Sequence, residues 1–315
     1  MSTGVAAPVS EEVKAVLESA AADGTVVEPD CLLAEMTTLW AGGRADFFAE
    51  PNSEAGLSAL LVACRERGLL VTVLGCGSNF LPLDSGVRGL TVRLGRASFT
   101  GIEAAGSRLK CGAGAKLKNV AAEAKRCRLA GMEFLEGIPG SIGGGLRMNA
   151  GAMGSELFDV VETVRFMDPA GGVFEMPADS IEVDYRSCPL LKNQIALGAV
   201  LNGEADTAEA IAARMAGFAE RRWGSQPKAR SAGCIFKNPK GIPAGKLVDE
   251  LGLKGVSEGG AMISEEHGNF IVNKGGATAD DILRLIGRIR ERALSERGIE
   301  LQTEVQIIGG EERDD

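Results

Sequence analysis

Two glycine-rich segments constrain the fold of this chain more than any other feature of its sequence. The first is Gly75-Cys-Gly-Ser-Asn79, and the second is Gly137-Ile-Pro-Gly-Ser-Ile-Gly-Gly-Gly145. Successive glycines cost backbone entropy on folding, so such a run indicates backbone that packs closely against a flat ligand or a phosphate. The chain has 43 Gly against 11 Phe, 2 Trp and 1 Tyr. Two such loops in one chain suit a dinucleotide that is held by turns.

The first glycine-rich segment lacks the pattern of a Rossmann fold. It follows an apolar run, Leu69 to Leu74, which predicts a buried strand. Its glycines are not spaced as GxGxxG, and Pro82 interrupts the stretch in which a helix would have to begin. A Rossmann dehydrogenase is therefore disfavoured. The loop remains able to present backbone N–H groups to a diphosphate, and a plain turn is the alternative for this segment taken alone.

Charge and cysteine content exclude further classes of protein. The chain carries 34 Lys and Arg against 43 Asp and Glu, a net charge of -9, which disfavours non-specific nucleic-acid binding. Its 7 cysteines are scattered without a CxxC pair, so we expect free thiols in a reducing cytoplasm. With a single histidine, His267, no metal site is expected.

Membrane insertion and export are not predicted. No run of about 18 apolar residues occurs, which is the length that a membrane-spanning helix needs. The N-terminal residues lack the basic and apolar regions of a signal peptide. We therefore expect a cytoplasmic protein with no membrane partner.

Periodicity and capping residues predict an irregular mixture of helices and strands. Helices are expected after Ser10 (ending near Gly24), after Ser53, over Lys116 to Cys127, over Thr207 to Arg222, around Ala244 to Leu251, and after Thr278. Strands are expected over Leu90 to Leu94, Phe270 to Asn273 and Glu304 to Ile308. The irregular order favours an α+β fold over a regular barrel.

Several blocks, taken in order, resemble the UDP-N-acetylenolpyruvoylglucosamine reductase family of flavoenzymes. The blocks are Thr37-Thr-Leu-Trp-Ala-Gly-Gly-x-Ala45, Leu74-Gly-Cys-Gly-Ser-Asn79, the segment from Gly131 to Gly145, Arg147-Met-Asn-Ala-Gly-Ala152, Tyr185-Arg-Ser187, Ser231-Ala-Gly-Cys-Ile-Phe-Lys-Asn-Pro239, Leu253-Lys-Gly255 and Thr303-Glu-Val305. Each block alone is weak, but the ordered set is highly specific.

The resemblance implies an α+β fold with a two-lobed FAD-binding domain of the vanillyl-alcohol-oxidase (PCMH) type and a smaller C-terminal α+β substrate domain. We expect an N-terminal helical extension over residues 1–30, the FAD-binding region over 31–226 with lobes at about 31–92 and 93–226, and the substrate domain over 227–315. The short stretch between Tyr185 and Cys234 resembles the shorter subtype, which lacks an inserted loop bearing a tyrosine.

The resemblance also implies an activity. NADPH would reduce non-covalently bound FAD, and UDP-N-acetylglucosamine enolpyruvate would be reduced to UDP-N-acetylmuramate in peptidoglycan precursor synthesis. The hydride would pass from flavin N5 to C3 and the proton from Cys234 to C2. No partner beyond NADPH and the UDP-sugar is expected, and the chain is expected to be a monomer.

Residues of this sequence take up the family's site positions. The catalytic set is Arg186, which would bind the substrate carboxylate, Glu304, which would orient or share a proton, and Cys234. The substrate-binding set is Asn238 and His267. The FAD-binding set is Gly75, Gly77, Ser78, Asn79, Gly137, Ile138, Pro139, Gly140, Ser141, Gly143 and Gly144.

Two positions depart from the family's pattern. Cys234 stands where relatives usually carry a serine, and a thiol with a reference pKa of ~8.5 is a much stronger acid than an alcohol. We expect nearby Lys237 to lower its pKa further and activity to fall at alkaline pH as the thiol ionises. The alternative is a small buried hydrophobe, a common role for free cysteine. Gln306 stands where relatives often carry arginine.

Two other functions remain open on the sequence. Another flavin oxidoreductase of this fold class often tethers its flavin through a histidine, but no histidine precedes His267. A non-catalytic flavin-binding module would lack the spaced set of Arg186, Cys234 and Glu304.

Overall fold

A computed structural model describes residues 10–310, so residues 1–9 and 311–315 lie outside the described part. In chain order the helices are α1 (Glu11–Ala21), α2 (Glu54–Glu66), α3 (Ala97–Thr100), α4 (Leu117–Arg126), α5 (Ile142–Arg147), α6 (Leu190–Asn193), α7 (Ala208–Trp223), α8 (Ala244–Glu250) and α9 (Ala279–Arg297).

Short strands fill the intervals between the helices. They are β1 (Val27–Leu32), β2 (Arg44–Ala49), β3 (Val71–Val73), β4 (Phe80–Pro82), β5 (Val87–Val92), β6 (Ile102–Ala105), β7 (Arg108–Gly112), β8 (Leu129–Ala130), β9 (Gly151–Ala152), β10 (Ser155–Glu156), β11 (Val161–Met167), β12 (Val173–Pro177), β13 (Ile195–Asn202), β14 (Glu204–Ala205), β15 (Ser231–Cys234), β16 (Ser257–Glu258), β17 (Ala261–Ile263), β18 (Phe270–Asn273) and β19 (Gln306–Ile308).

The first sheet has the strand order β1-β2-β5-β3 and packs against α1 and α2. Both helices begin as their capping residues predict: the Ser10 hydroxyl accepts a hydrogen bond from the N–H of Val13, and the Ser53 hydroxyl accepts one from the N–H of Gly56. Helix α1 ends earlier than predicted, because Ala22 takes the left-handed conformation that ends the helix before Gly24. Strand β1 crosses the lobe boundary that the resemblance places after residue 30.

The second sheet has the order β12-β11-β13-β7-β6 and is antiparallel throughout. Its apolar face packs in one cluster with the buried sides of α4, α5 and α7, which include Val120, Leu146 and Ile211. The carboxylate of Glu133 is almost completely buried there and accepts two hydrogen bonds from Arg214 of α7. This pairing fixes α7, whose C-terminal end reaches the active site.

The third sheet has the order β15-β18-β17-β16 and is covered by α8 and α9. It is fastened to the first part of the chain by polar contacts as well as by apolar packing. The buried Asn273 side chain donates to the carbonyls of Leu39 and Trp40, both at 2.9 Å, and accepts from the N–H groups of Gly275 and Ala277. Strand β19 lies outside this sheet and pairs in parallel with β4.

The α+β fold class is confirmed, and the predicted helices and strands are present with shifts of a few residues at their ends. The interpretation of the second glycine-rich segment as turns throughout was wrong, because Ile142–Arg147 forms helix α5. The glycines serve packing there: a Cβ on Gly145 would lie 2.9 Å from Leu157, and one on Gly143 would lie 3.1 Å from Ala113. Periodicity gives little signal for a helix of six residues of which three are glycine.

We predict that Asn273→Ala destabilises the protein by about 2 kcal/mol, because it removes four hydrogen bonds and leaves buried backbone groups of two parts of the chain without partners. The midpoint of urea unfolding measures this loss. The matched control is Asn202→Ala at the exposed end of β13, for which we expect a change within about 0.5 kcal/mol. Equal midpoints for the two variants would contradict the assignment of Asn273 as a fastening residue.

Candidate active site

A cleft of about 1090 Å³ lies between the first and second sheets. One wall is formed by β3 and the loop after it, and the other by α5, α6 and the start of β13. Four of the predicted FAD-binding residues line it, namely Gly75, Ser141, Gly143 and Gly144. The other predicted positions, which are Gly77, Ser78, Asn79, Gly137, Ile138, Pro139 and Gly140, lie in the same two loops without being among the lining residues.

The two glycine-rich loops are joined directly. The hydroxyl of Ser78 donates to the carbonyl of Pro139 at 2.8 Å. Gly77 has φ +64°, and a Cβ there would lie 2.2 Å from the carbonyl oxygen of Met36. This glycine is therefore required by the packing of the chain itself, and its role toward a cofactor stays a prediction.

The cleft has the size and lining for FAD. Its volume is at the upper end of the ~300–1000 Å³ of ordinary ligand pockets, as an extended dinucleotide requires. The cationic side chains of Lys116 and Arg147 line it beside the glycine backbone. The amide oxygen of Gln194 on the same wall is buried without a hydrogen-bond partner. An anionic ligand with hydrogen-bond donors fits these groups.

The predicted catalytic residues come together where the second sheet meets the C-terminal part. The guanidinium Nε of Arg186 lies 3.4 Å from a carboxylate oxygen of Glu304, and both side chains are less than one-fifth exposed. Arg186 also donates to the carbonyl of Gly151 at 2.8 Å and lies 5.0 Å from the centre of the Tyr185 ring. Cys234 lies near both residues, because Ile235, which follows it in the chain, accepts a hydrogen bond from the backbone N–H of Glu304. The charges of Glu304 and Arg186 act on the pKa of its thiol in opposite directions.

Arg186 is positioned by residues that the sequence interpretation did not assign. Its backbone adopts φ +58°, which is uncommon for a residue with a side chain. Glu156 lies 4.0 Å from its guanidinium, and the buried Asn149 side chain donates to that carboxylate at 2.7 Å and to the carbonyl of Asp184 at 3.5 Å. The block of sequence from Arg147 to Ala152 contains Asn149, but nothing in the sequence shows that it reaches Glu156.

Glu304 is held from two sides. Its backbone N–H donates at 2.7 Å to the carbonyl of Ile235, the residue that follows Cys234 in the chain. Its carbonyl accepts from the side-chain amides of Asn79 at 3.0 Å and Gln306 at 3.1 Å. Asn79, predicted to bind FAD, thus also connects the first glycine-rich loop to the backbone of Glu304. Gln306 lines the cleft, and its N–H donates to the Asn79 carbonyl.

The expectation that Lys237 lowers the pKa of Cys234 was wrong. Burial, with the negative charge of Glu304 as the second cause, raises the pKa of the thiol to about 12. Arg186, Arg222 and a hydrogen bond from the Asn269 side chain oppose this shift. The expected loss of activity from ionisation therefore moves to much higher pH. Burial also raises the pKa of Glu304, against the opposing charges of Arg186 and Lys237.

Arg222 and Asn269 are two further residues of this site that the sequence interpretation missed. Arg222 ends helix α7 and reaches Gly137, where a Cβ would lie 3.3 Å from its side chain. Asn269 is buried, and its amide also bonds the backbone of Phe236 in both directions. The only sequence signal for it was its place beside the strand at 270–273.

The predicted substrate-binding residues lie at the edge of this cluster. The amide oxygen of Asn238 accepts from the N–H of Ala244 and so caps α8, while its nitrogen lies 3.5 Å from the Tyr185 hydroxyl. His267 accepts from the N–H of Asn269 at 3.1 Å, and burial lowers its pKa. Both residues have structural partners, and their contacts with substrate stay predictions.

Metal-binding and membrane-spanning features were searched over residues 10–310. No group of three or more acidic, cysteine or histidine side chains there could hold a metal ion. No helix in that range is long and apolar enough to cross a membrane.

Comparison with known proteins identifies the family to which the chain belongs. Residues 45–176 match a family described as an FAD binding domain, and residues 226–308 match the C-terminal domain of UDP-N-acetylenolpyruvoylglucosamine reductase. A protein of that name from Heliobacterium modesticaldum is 42% identical over 276 residues, which is 87% of this chain and 88% of the relative. The chain belongs to the UDP-N-acetylenolpyruvoylglucosamine reductase family.

Further relatives agree with this membership. The reductase of that name from Rhodospirillum rubrum is 42% identical over 286 residues, or 89% of each chain. The crystal structure of the Thermus caldophilus family member superposes with a TM-score of 0.80 at 38% identity, covering 90% of this chain and 100% of that one. As a member of this reductase family with an FAD-binding domain, the chain is an FAD-dependent oxidoreductase.

We predict that Cys234 in the folded protein is alkylated by iodoacetamide at pH 8 on the order of a hundredfold more slowly than free cysteine, because its raised pKa leaves little thiolate. Glu304→Gln removes the negative charge that raises this pKa and speeds the labelling of Cys234. Peptide mapping by mass spectrometry follows this one thiol. The control, Glu162→Gln, removes a carboxylate that pairs with Arg108 and leaves the rate unchanged. A rate as fast as that of free cysteine would contradict the assignment.

Proposed function

We propose that this protein reduces UDP-N-acetylglucosamine enolpyruvate to UDP-N-acetylmuramate with NADPH, in the synthesis of peptidoglycan precursors. The observation that carries the proposal is the meeting of Arg186, Glu304 and Cys234 beside a cleft that fits FAD. When bound, FAD supplies the hydride that the substrate receives at C3. The residues of the chain bind the substrate, stabilise its charge and deliver the proton. A single chain contains the whole set.

Arg186 is the binding group for the substrate carboxylate. Its guanidinium is shielded from solvent, and two of its nitrogens are held by Gly151 and Glu304, so it is oriented before substrate arrives. Addition of a hydride to C3 leaves negative charge that spreads from C2 onto the carboxylate. A fixed guanidinium stabilises that charge without reorganising, which is the main way a preorganised site lowers a barrier.

Cys234 is the proton donor to C2 in this proposal. Its pKa of about 12 keeps the thiol protonated at neutral pH, which a donor requires, and the carbanionic carbon is a far stronger base than the thiolate. The C2–H bond forms as the S–H bond breaks, and the electron pair of that bond stays on sulfur. Arg186 and Arg222 stabilise the thiolate that remains until solvent protonates it again.

Glu304 controls the electrostatics of the same step. Its negative charge keeps the thiol protonated, while its raised pKa makes the carboxyl group able to carry a proton itself. Its contact with Arg186 means that a substrate carboxylate shares the guanidinium with Glu304. We therefore assign Glu304 to orienting the intermediate and sharing a proton with it.

The direct test of this function uses the purified protein. We expect a flavin absorption spectrum and NADPH oxidation that depends on added UDP-N-acetylglucosamine enolpyruvate, with UDP-N-acetylmuramate as the product detected by mass spectrometry. Comparison with NADH measures the preference for the coenzyme. A protein that binds FAD but oxidises NADPH at the same rate with and without this substrate would contradict the proposed reaction.

The two half-reactions test the role of Cys234. We predict that Cys234→Ala lets NADPH reduce the flavin at the wild-type rate but slows substrate reduction at least about a hundredfold, because general acid catalysis contributes 10²–10⁴-fold. Cys234→Ser restores a hydroxyl donor and should stay active. Stopped-flow absorbance separates the two steps, and Cys127→Ala, at the end of α4 and outside the cleft, is the control. An alanine variant with full substrate reduction would show that the proton comes from elsewhere.

A further inference from the structure

Arg147 is a cation without a counter-ion on the wall of the cleft. It is the last residue of α5, and one of its terminal nitrogens donates to the carbonyls of Leu191 at 2.6 Å and Lys192 at 2.9 Å, at the end of α6. Within residues 10–310 its guanidinium forms no ion pair, and burial lowers its pKa. The guanidinium has lost part of its hydration shell and has hydrogen bonds to two carbonyls in its place. These bonds compensate for the desolvation of the charge only in part.

Gln194 is the second unusual residue on the same wall of the cleft. It follows α6 directly, and its amide oxygen is buried with no hydrogen-bond donor among the described residues. Leaving a buried acceptor unpaired costs roughly 1–3 kcal/mol, so such a group in a binding cleft indicates that a ligand supplies the donor. The wall thus offers a cation and an acceptor within one short stretch of surface.

The chemistry of the wall selects among the parts of FAD. A diphosphate satisfies a cation but has no hydrogen to donate, and an adenine ring donates but is uncharged. The pyrimidine edge of the flavin ring has both features, since its C2 carbonyl and N1 take up negative charge on reduction and the neighbouring N3–H is a donor. The ribityl and ribose hydroxyls also donate beside the diphosphate, but the pyrimidine edge combines the charge and the donor in one rigid group, and the position of Arg147 decides between them.

The position of Arg147 agrees with this choice. Its carbonyl accepts from the N–H of Cys188 at 3.0 Å, and Cys188 follows Arg186 by two residues. Arg147 therefore ends α5 next to the catalytic segment, whereas Ser141 and the glycines that face the first loop are at the start of that helix. The reacting ring of the cofactor must lie at the catalytic end.

We propose that Arg147 and Gln194 bind the pyrimidine edge of the flavin, with Arg147 supplying the positive charge that stabilises the reduced cofactor. The proposal rests on the FAD cofactor and not on the identity of the substrate. It gives the two residues different effects: the charge of Arg147 favours the reduced form over the oxidised form, whereas Gln194 holds both forms alike.

The test measures the midpoint potential of bound FAD against a reference dye, and the affinity of the apoprotein for oxidised FAD by fluorescence. For Arg147→Met we expect the reduced cofactor to bind about tenfold more weakly relative to the oxidised one, which for two electrons lowers the potential by about 30 mV. Arg147→Lys keeps the charge and should recover most of this shift. Gln194→Leu should weaken FAD binding about tenfold and leave the potential unchanged.

The outcomes separate the explanations. The control is Arg108→Met, which removes an exposed arginine that pairs with Glu162 outside the cleft. We expect it to change neither the midpoint potential nor the affinity for FAD. If Arg147→Met weakens both redox forms equally, the arginine binds the diphosphate and the proposal is overturned. The proposal is also overturned if Arg147→Met changes neither the midpoint potential nor the affinity for FAD, or if Arg147→Lys shifts the potential as far as Arg147→Met does. A wild-type protein that binds no FAD would instead refute the proposed function.

Discussion

The ion pair between Arg186 and Glu304 is the interaction around which the site is organised. Its two members come from parts of the chain that are more than a hundred residues apart. They meet because the second sheet and the C-terminal part of the chain both pack against the first sheet. Placing two charges in a shielded site costs desolvation that their attraction offsets only with good geometry. That geometry comes from Gly151 on one side and from Ile235 and Asn79 on the other.

The outline of this arrangement was predictable from the sequence, and its details were not. Capping serines located α1 and α2, and the ordered blocks placed Arg186, Cys234 and Glu304 in one site. Helix α5 was missed because it is only six residues long and three of them are glycine, which has a low helix propensity. Asn149 and Asn269 were not assigned because an asparagine acts here through partners distant in the chain, which no local pattern encodes.

Cys234 shows how the surroundings decide the acidity of a group more than its type does. Exchanging an oxygen for a sulfur makes a donor far more acidic in water. Burial and the neighbouring carboxylate of Glu304 offset much of this difference in acidity, because they raise the pKa of the thiol to about 12. The site thereby tolerates a thiol at a position where relatives usually have a hydroxyl, and keeps it protonated over the physiological range.

Strand β19 has a consequence for how the protein is made. It follows Glu304 by two residues and pairs with β4, near the other end of the chain. Glu304 can therefore take its place only after both the first sheet and the C-terminal part have been synthesised. The cluster of Arg186, Cys234 and Glu304 is thus completed by some of the last residues of the described chain, and a chain that ends before residue 304 lacks this carboxylate altogether.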